Sequence, residues 1–116
     1  MAPSPPSATR ERETTVRYLV SIEPEYQRNN DIDRNGDVME MLRWLRETFE
    51  AETMFLEASN RKIWMVVNFE SGAALNKLTC ISLFKLGIAP IFRPIFSEAE
   101  NETAIPASLA FMEASL

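Results

Sequence analysis

Along residues 16–97 the spacing of apolar side chains switches between every second position and helical spacing, and that succession admits few folds. "VRYLVSIEP" alternates, with Tyr18, Val20 and Ile22 on one side and Arg17, Leu19, Ser21 and Glu23 on the other. Pro24 stops it as a strand. From Asp37 the period lengthens: Val38, Met41, Leu42, Leu45 and Phe49 fall on one stripe of a helix. "ETMFLEA" and "KIWMVVNFE" return to alternation, joined by the hairpin-length Ser59-Asn60-Arg61. "SGAALNKLTCISLFKLG" is a second helix, with Ser71 as its N-cap and Gly87 as its stop. The two prolines of "APIFRPIFS" place a last strand at a sheet edge. The order β-α-β-β-α-β predicts an α+β, ferredoxin-like fold: an antiparallel four-stranded sheet with both helices on one face.

The flanks differ in kind. Residues 1–15, "MAPSPPSATRERETT", carry proline, serine and charge with little to bury, and read as a disordered arm before the domain at 16–97. Residues 98–116 read as an acidic link and a short helix, with Leu109, Met112 and Leu116 at helical spacing and Pro106 in its first turn. This tail is a candidate pocket lid or dimer clasp.

Composition removes several chemistries. A net charge of −5 repels phosphate backbones, so no nucleic acid is expected. No apolar run approaches membrane-spanning length and nothing resembles a signal peptide, so the expectation is a cytoplasmic protein with no membrane partner. The lone Cys80 makes no internal disulfide. With no histidine and one cysteine, zinc sites and histidine-activated nucleophiles are excluded, and no metal or cofactor is expected. Acid–base work would fall to Glu, Asp, Lys, Tyr or Cys80, although Cys80 lacks a basic neighbour and reads as a buried thiol.

Two helices cover one side of such a sheet. The more apolar side is Tyr18, Val20, Ile22, Met54, Leu56, Ile63, Met65, Val67 and Phe69. The other side still carries Leu19, Phe55, Trp64, Val66, Ile91 and Ile95 among Arg17, Ser21, Glu23, Thr53, Glu57, Asn68 and Arg93. Phe92 and Phe96 would serve the core equally well, so the last strand can face either way. A solvated face should be mostly polar, and one this apolar marks an interface. A second copy of the same sheet is the economical cover, giving a homodimer or higher homo-oligomer around a small-molecule pocket.

The strand–helix–hairpin–helix–strand order and the amphipathic open face resemble the dimeric α+β barrel superfamily. The stretch "FESGAALNKL" through "LFKLGIAPIFRPI" is similar in layout to the muconolactone isomerase-like small proteins. The resemblance covers residues 16–97 and implies cofactor-independent isomerases, cyclases, dehydratases, cofactor-free monooxygenases or simple ligand binders. The absence of histidine departs from the members that use histidine chemistry.

Three sets of residues carry the chemistry. Glu23 and Glu57 are candidate proton carriers, because an apolar pocket raises a carboxyl pKa; salt bridges to Arg17 or Arg93, or exposure to water, would cancel this. Arg93 is a candidate for holding a carboxylate, carbonyl or enolate oxygen, with an interface ion pair as its bland counterpart. Asn68 could donate to the same oxygen or make a cross-strand bond. Arg17, Tyr18, Leu19, Phe55, Trp64 and Val66 would shape the space for a small apolar molecule. The leading expectation is therefore a cofactor-independent isomerase, cyclase or lyase, with a cofactor-free monooxygenase and a non-catalytic binding or assembly module as rivals. "DIDRNGDVMEML" opens like a calcium loop at Asp31, Asp33, Asn35 and Asp37, but Leu42 stands where a bidentate Glu is required. It reads instead as a turn at Asn35-Gly36, with Asn35 or Asp37 capping the helix.

Overall fold

The computed structural model of the chain describes residues 15–25 and 36–116. The expected arm up to residue 14 and the calcium-like Asp31, Asp33 and Asn35 lie outside the described residues. The elements run β1 (Val16–Ile22), α1 (Val38–Thr48), β2 (Thr53–Leu56), β3 (Ile63–Phe69), α2 (Gly72–Leu86), β4 (Ile91–Ile95) and α3 (Glu98–Ser115). The strands form one antiparallel sheet in the order β2-β3-β1-β4. Three helices accompany it, so the architecture is α+β. No helix among the described residues is long and apolar enough to cross a membrane.

Register decides which side chains share a face. Val20 lies opposite Met65 and Phe92, and Ile22 opposite Ile63. These meet Leu45 of α1 and Leu78 and Leu86 of α2 in one buried cluster. Each large aliphatic side chain sealed there contributes roughly 1.5–3 kcal/mol. Because Phe92 pairs with Val20, β4 turns Ile91, Arg93 and Ile95 to the opposite side.

The helix boundaries follow from local chemistry. Ser71 accepts a hydrogen bond from the Ala74 N–H at 3.2 Å, satisfying one orphan donor at the start of α2. Gly87 ends that helix at φ 77°, where a side chain would be strained, and donates to Leu83 O at 3.2 Å. Gly36 turns into α1 at φ 75°. Asp37 stands at the N-cap of α1, but its side chain makes no capping bond.

Three expectations are corrected. Cys80 is exposed, because the buried stripe of α2 runs through Leu78, Ser82 and Leu86, and residue 80 falls off it. Ser82, the buried polar member of that stripe, donates to Ile88 O at 2.6 Å. The acidic link is helical: α3 begins at Glu98 and places Pro106 in its interior rather than its first turn. Its start is a capping box, in which Ser97 Oγ accepts from the Glu100 N–H at 3.1 Å and Glu100 Oε1 accepts from the Ser97 N–H at 3.0 Å. Glu98 and Glu100 in the first turn also suit the positive end of the helix dipole.

Candidate functional site

The side of the sheet away from the core cluster can be read in rows across the four strands. One row is Arg93, Leu19, Val66 and Thr53; the next is Ile91, Ser21, Trp64 and Phe55. Together they make an apolar strip holding a single guanidinium. Phe55 and Ile91 are 53% and 50% exposed, while Leu19, Trp64 and Val66 are half-buried. Phe55 and Trp64 stack with ring centroids 6.4 Å apart and planes 15° from parallel.

Polar groups bound the strip at both ends. At one end Arg17 grips Glu52, its Nε donating at 2.8 Å and a terminal nitrogen lying 2.7 Å from the same Oε2. Asn68 Nδ2 donates to Glu52 Oε1 at 3.2 Å. Arg17 and Asn68, expected to hold substrate, are therefore committed to each other through Glu52. Glu52 itself was not foreseen, because alternation within "ETMFLEA" groups it with Met54 and Leu56 on the covered side, whereas β2 begins only at Thr53.

At the other end Trp64 Nε1–H donates to Glu57 Oε1 at 2.9 Å. Asn60 Nδ2 and Ser59 Oγ donate to Glu57 Oε2 at 2.9 and 3.2 Å. Lys62 Nζ lies 5.3 Å from the Trp64 ring centroid and 3.9 Å from Glu23 Oε1. The Trp64 hydrogen bond, above all, holds the Glu57 carboxyl below the ordinary carboxylate value. Desolvation pulls it back upward, while Ser59, the Lys62 charge and Asn60 add to the lowering. The rise expected of a proton carrier in an apolar site is thus reversed at Glu57 within a single chain. Glu23 is exposed at the strand end and borders a cleft with Pro24, Ser59, Asn60 and Ile88 instead of the apolar strip.

The fold separates one further candidate from the rest. Tyr18 points to the core side, its ring 5.9 Å from both Phe69 and Phe92, which themselves lie 6.2 Å apart. It cannot shape the same space as Phe55 and Trp64, because neighbouring strand residues face opposite ways. Arg93 does stand on the strip. Its guanidinium donates at 3.4 Å to the hydroxyl of Ser21, a residue 2% exposed, and it has no carboxylate partner among the described residues.

A second concavity lies on the helix side. A cleft of about 630 Å³ between the end of α1 and the start of α2 is lined by Trp44, Phe49, Phe69, Ala74, Lys77 and Ile81. Trp44 meets Phe49 edge-on at 6.3 Å and is 44% exposed. The apolar spacing of α1 did not single it out, since Trp44 sits beside the stripe rather than on it. This cleft is open to solvent, and Glu50, Glu70 and Lys77 are among the residues that line it. No group of acidic or cysteine side chains among the described residues is arranged to hold a metal ion. Comparison of the chain with family models, with curated proteins and with solved structures gives no match.

Proposed function

We propose that this chain is a ferredoxin-like subunit of a homodimer whose facing sheets bind a small apolar molecule. The element order and the strand order β2-β3-β1-β4 support that topology, in which both crossover helices serve one face and leave the other bare. The observation that carries the function is the strip of Leu19, Val66, Trp64, Phe55 and Ile91 around the guanidinium of Arg93, which has no carboxylate partner among the described residues. A mostly apolar surface with one convergent charged donor suits a ligand with an aromatic or aliphatic body and one anionic or polarised oxygen. Two such faces packed together would remove it from water.

Binding is favoured over Glu-based proton transfer. Both oxygens of Glu57 already accept hydrogen bonds, and its carboxyl is held ionised rather than poised to share a proton near neutrality. An isomerase, cyclase or lyase remains the second reading, and Arg93 favours it: a guanidinium beside a developing enolate oxygen lowers the barrier whatever group moves the proton.

The test uses 1-anilinonaphthalene-8-sulfonate, which combines an apolar aromatic body with an anionic oxygen. Saturable fluorescence enhancement is expected, weakened about tenfold or more by Arg93→Met and by Phe55→Ser, with sedimentation showing a dimer at micromolar concentration. Binding unaffected by both substitutions, or a monomer throughout, overturns the proposal.

A further inference from the structure

Helix α3 presents a structural problem of its own. It runs for 18 residues, yet none of them is buried. Most helical stability in proteins comes from packing an apolar face, and an interior proline costs about 3 kcal/mol. Pro106 also deprives the Glu102 carbonyl of its usual donor. Ile105, Leu109 and Met112 nonetheless recur at helical spacing and are 47–54% exposed, with Phe111 beside them more exposed still. A helix with this pattern is built to lie against something.

Its position indicates what. α3 starts within three residues of the end of β4, an edge strand of the sheet. Arg17, which faces the open side, lies opposite Ile95 at the end of β4, three residues before α3 begins. The helix therefore leaves the body at the margin of the uncovered face. Its charge is one-signed: Glu98, Glu100, Glu102 and Glu113, with no Lys or Arg. The cation on the strip without a carboxylate partner among the described residues is Arg93. The acidic first turns of α3 and its exposed Ile105, Leu109 and Met112 thus complement the cation and the apolar residues of the open strip, and no residue of α3 is buried against its own chain.

We propose that α3 of one copy seats its Ile105–Leu109–Met112 stripe against the rim of the open sheet face of a second copy. Two-fold symmetry makes the exchange mutual, so each α3 walls one side of the space between the sheets. This rests on the homodimer proposed above and adds that each ligand space is completed by side chains from the other chain.

A benzophenone photo-crosslinker in place of Met112, in the full-length chain, tests it on a mixture of isotopically light and heavy copies. Crosslinked light–heavy peptides joining α3 to β1, β2, β3 or β4 are expected. Products confined to one isotope, or joining α3 to α1 or α2 of the other copy, overturn the clasp, as does a dimer that gives no crosslink. A monomer overturns the dimer and the clasp together, so the two failures are told apart by sedimentation of the same sample. Leu109→Glu is expected to weaken dimerisation about tenfold or more while leaving the unfolding midpoint of the body in place. Unchanged dimerisation in that variant also overturns the clasp.

Discussion

The two faces of one sheet are made from alternate residues of the same strands, and they are held together by different physics. On the covered face, Val20, Ile22, Ile63, Met65 and Val67 are sealed from water by α1 and α2. On the open face, the intervening Leu19, Ser21, Trp64, Val66 and Asn68 are organised by hydrogen bonds and ion pairs at the two ends. The covered face is a stability device, whereas the open face leaves apolar area exposed, which the proposed dimer would cover. Residues that differ by one position in sequence therefore differ in what their loss should cost.

Met65 and Phe55 give the sharpest contrast. Met65→Ala empties a site with no exposure, and about 2–5 kcal/mol should be lost in denaturant unfolding. Phe55→Ser should change folding by roughly 0.5 kcal/mol or less per monomer and instead weaken self-association. If Phe55→Ser unfolds the chain as readily as Met65→Ala, the distinction between the faces collapses. Gly87→Ala comes next: a left-handed residue with a Cβ costs about 1–2 kcal/mol, and the thermal midpoint should fall without any change in association. Ser71→Ala, which removes the cap of the helix over the covered face, should cost about 1 kcal/mol by the same measurement.

The smallest effects belong to the polar ends of the open face. The Glu57 and Glu100 carboxyls are both held below the ordinary value of 4.5. Their contribution to stability is present above that value and is lost as pH falls through their lower folded values. Unfolding midpoints should therefore be level from pH 7 to about 5 and decline below it, with Glu57→Gln shallowing the decline. Arg17→Met should cost less than about 1 kcal/mol, and less again at high salt, since both partners of the pair are about two-fifths exposed. A larger, salt-insensitive loss would show that the pair is buried by a partner chain.

Much of this was legible in the order of residues because alternation has only two phases. Once Val20 and Ile22 are assigned to the core, Leu19 and Ser21 must face away, and the same alternation within "KIWMVVNFE" separates Met65 from Trp64. Phe92 could not be placed that way, since both phases of "IFRPIF" are apolar; its pairing with Val20 decides it. The Trp64–Glu57 bond needs an indole donor and a carboxylate acceptor, but that these two meet is set by the register across the hairpin, where Phe55 lies opposite Trp64. Glu52 was hidden because alternation extended one residue too far places it beside Met54 on the covered side, while β2 begins at Thr53. The helicity of residues 98–105 was written in Ser97 and Glu100, but the acidic composition and the single proline argued more loudly for a link.

The chain has two tryptophans, and the fold assigns one to each side: Trp44 to the cleft between α1 and α2, Trp64 to the open sheet. The molecule thus carries its own pair of optical gauges. With Trp44 replaced by Phe, the emission colour of Trp64 reads the wetness of the sheet face, and the proposed dimer predicts a shift to the red on dilution.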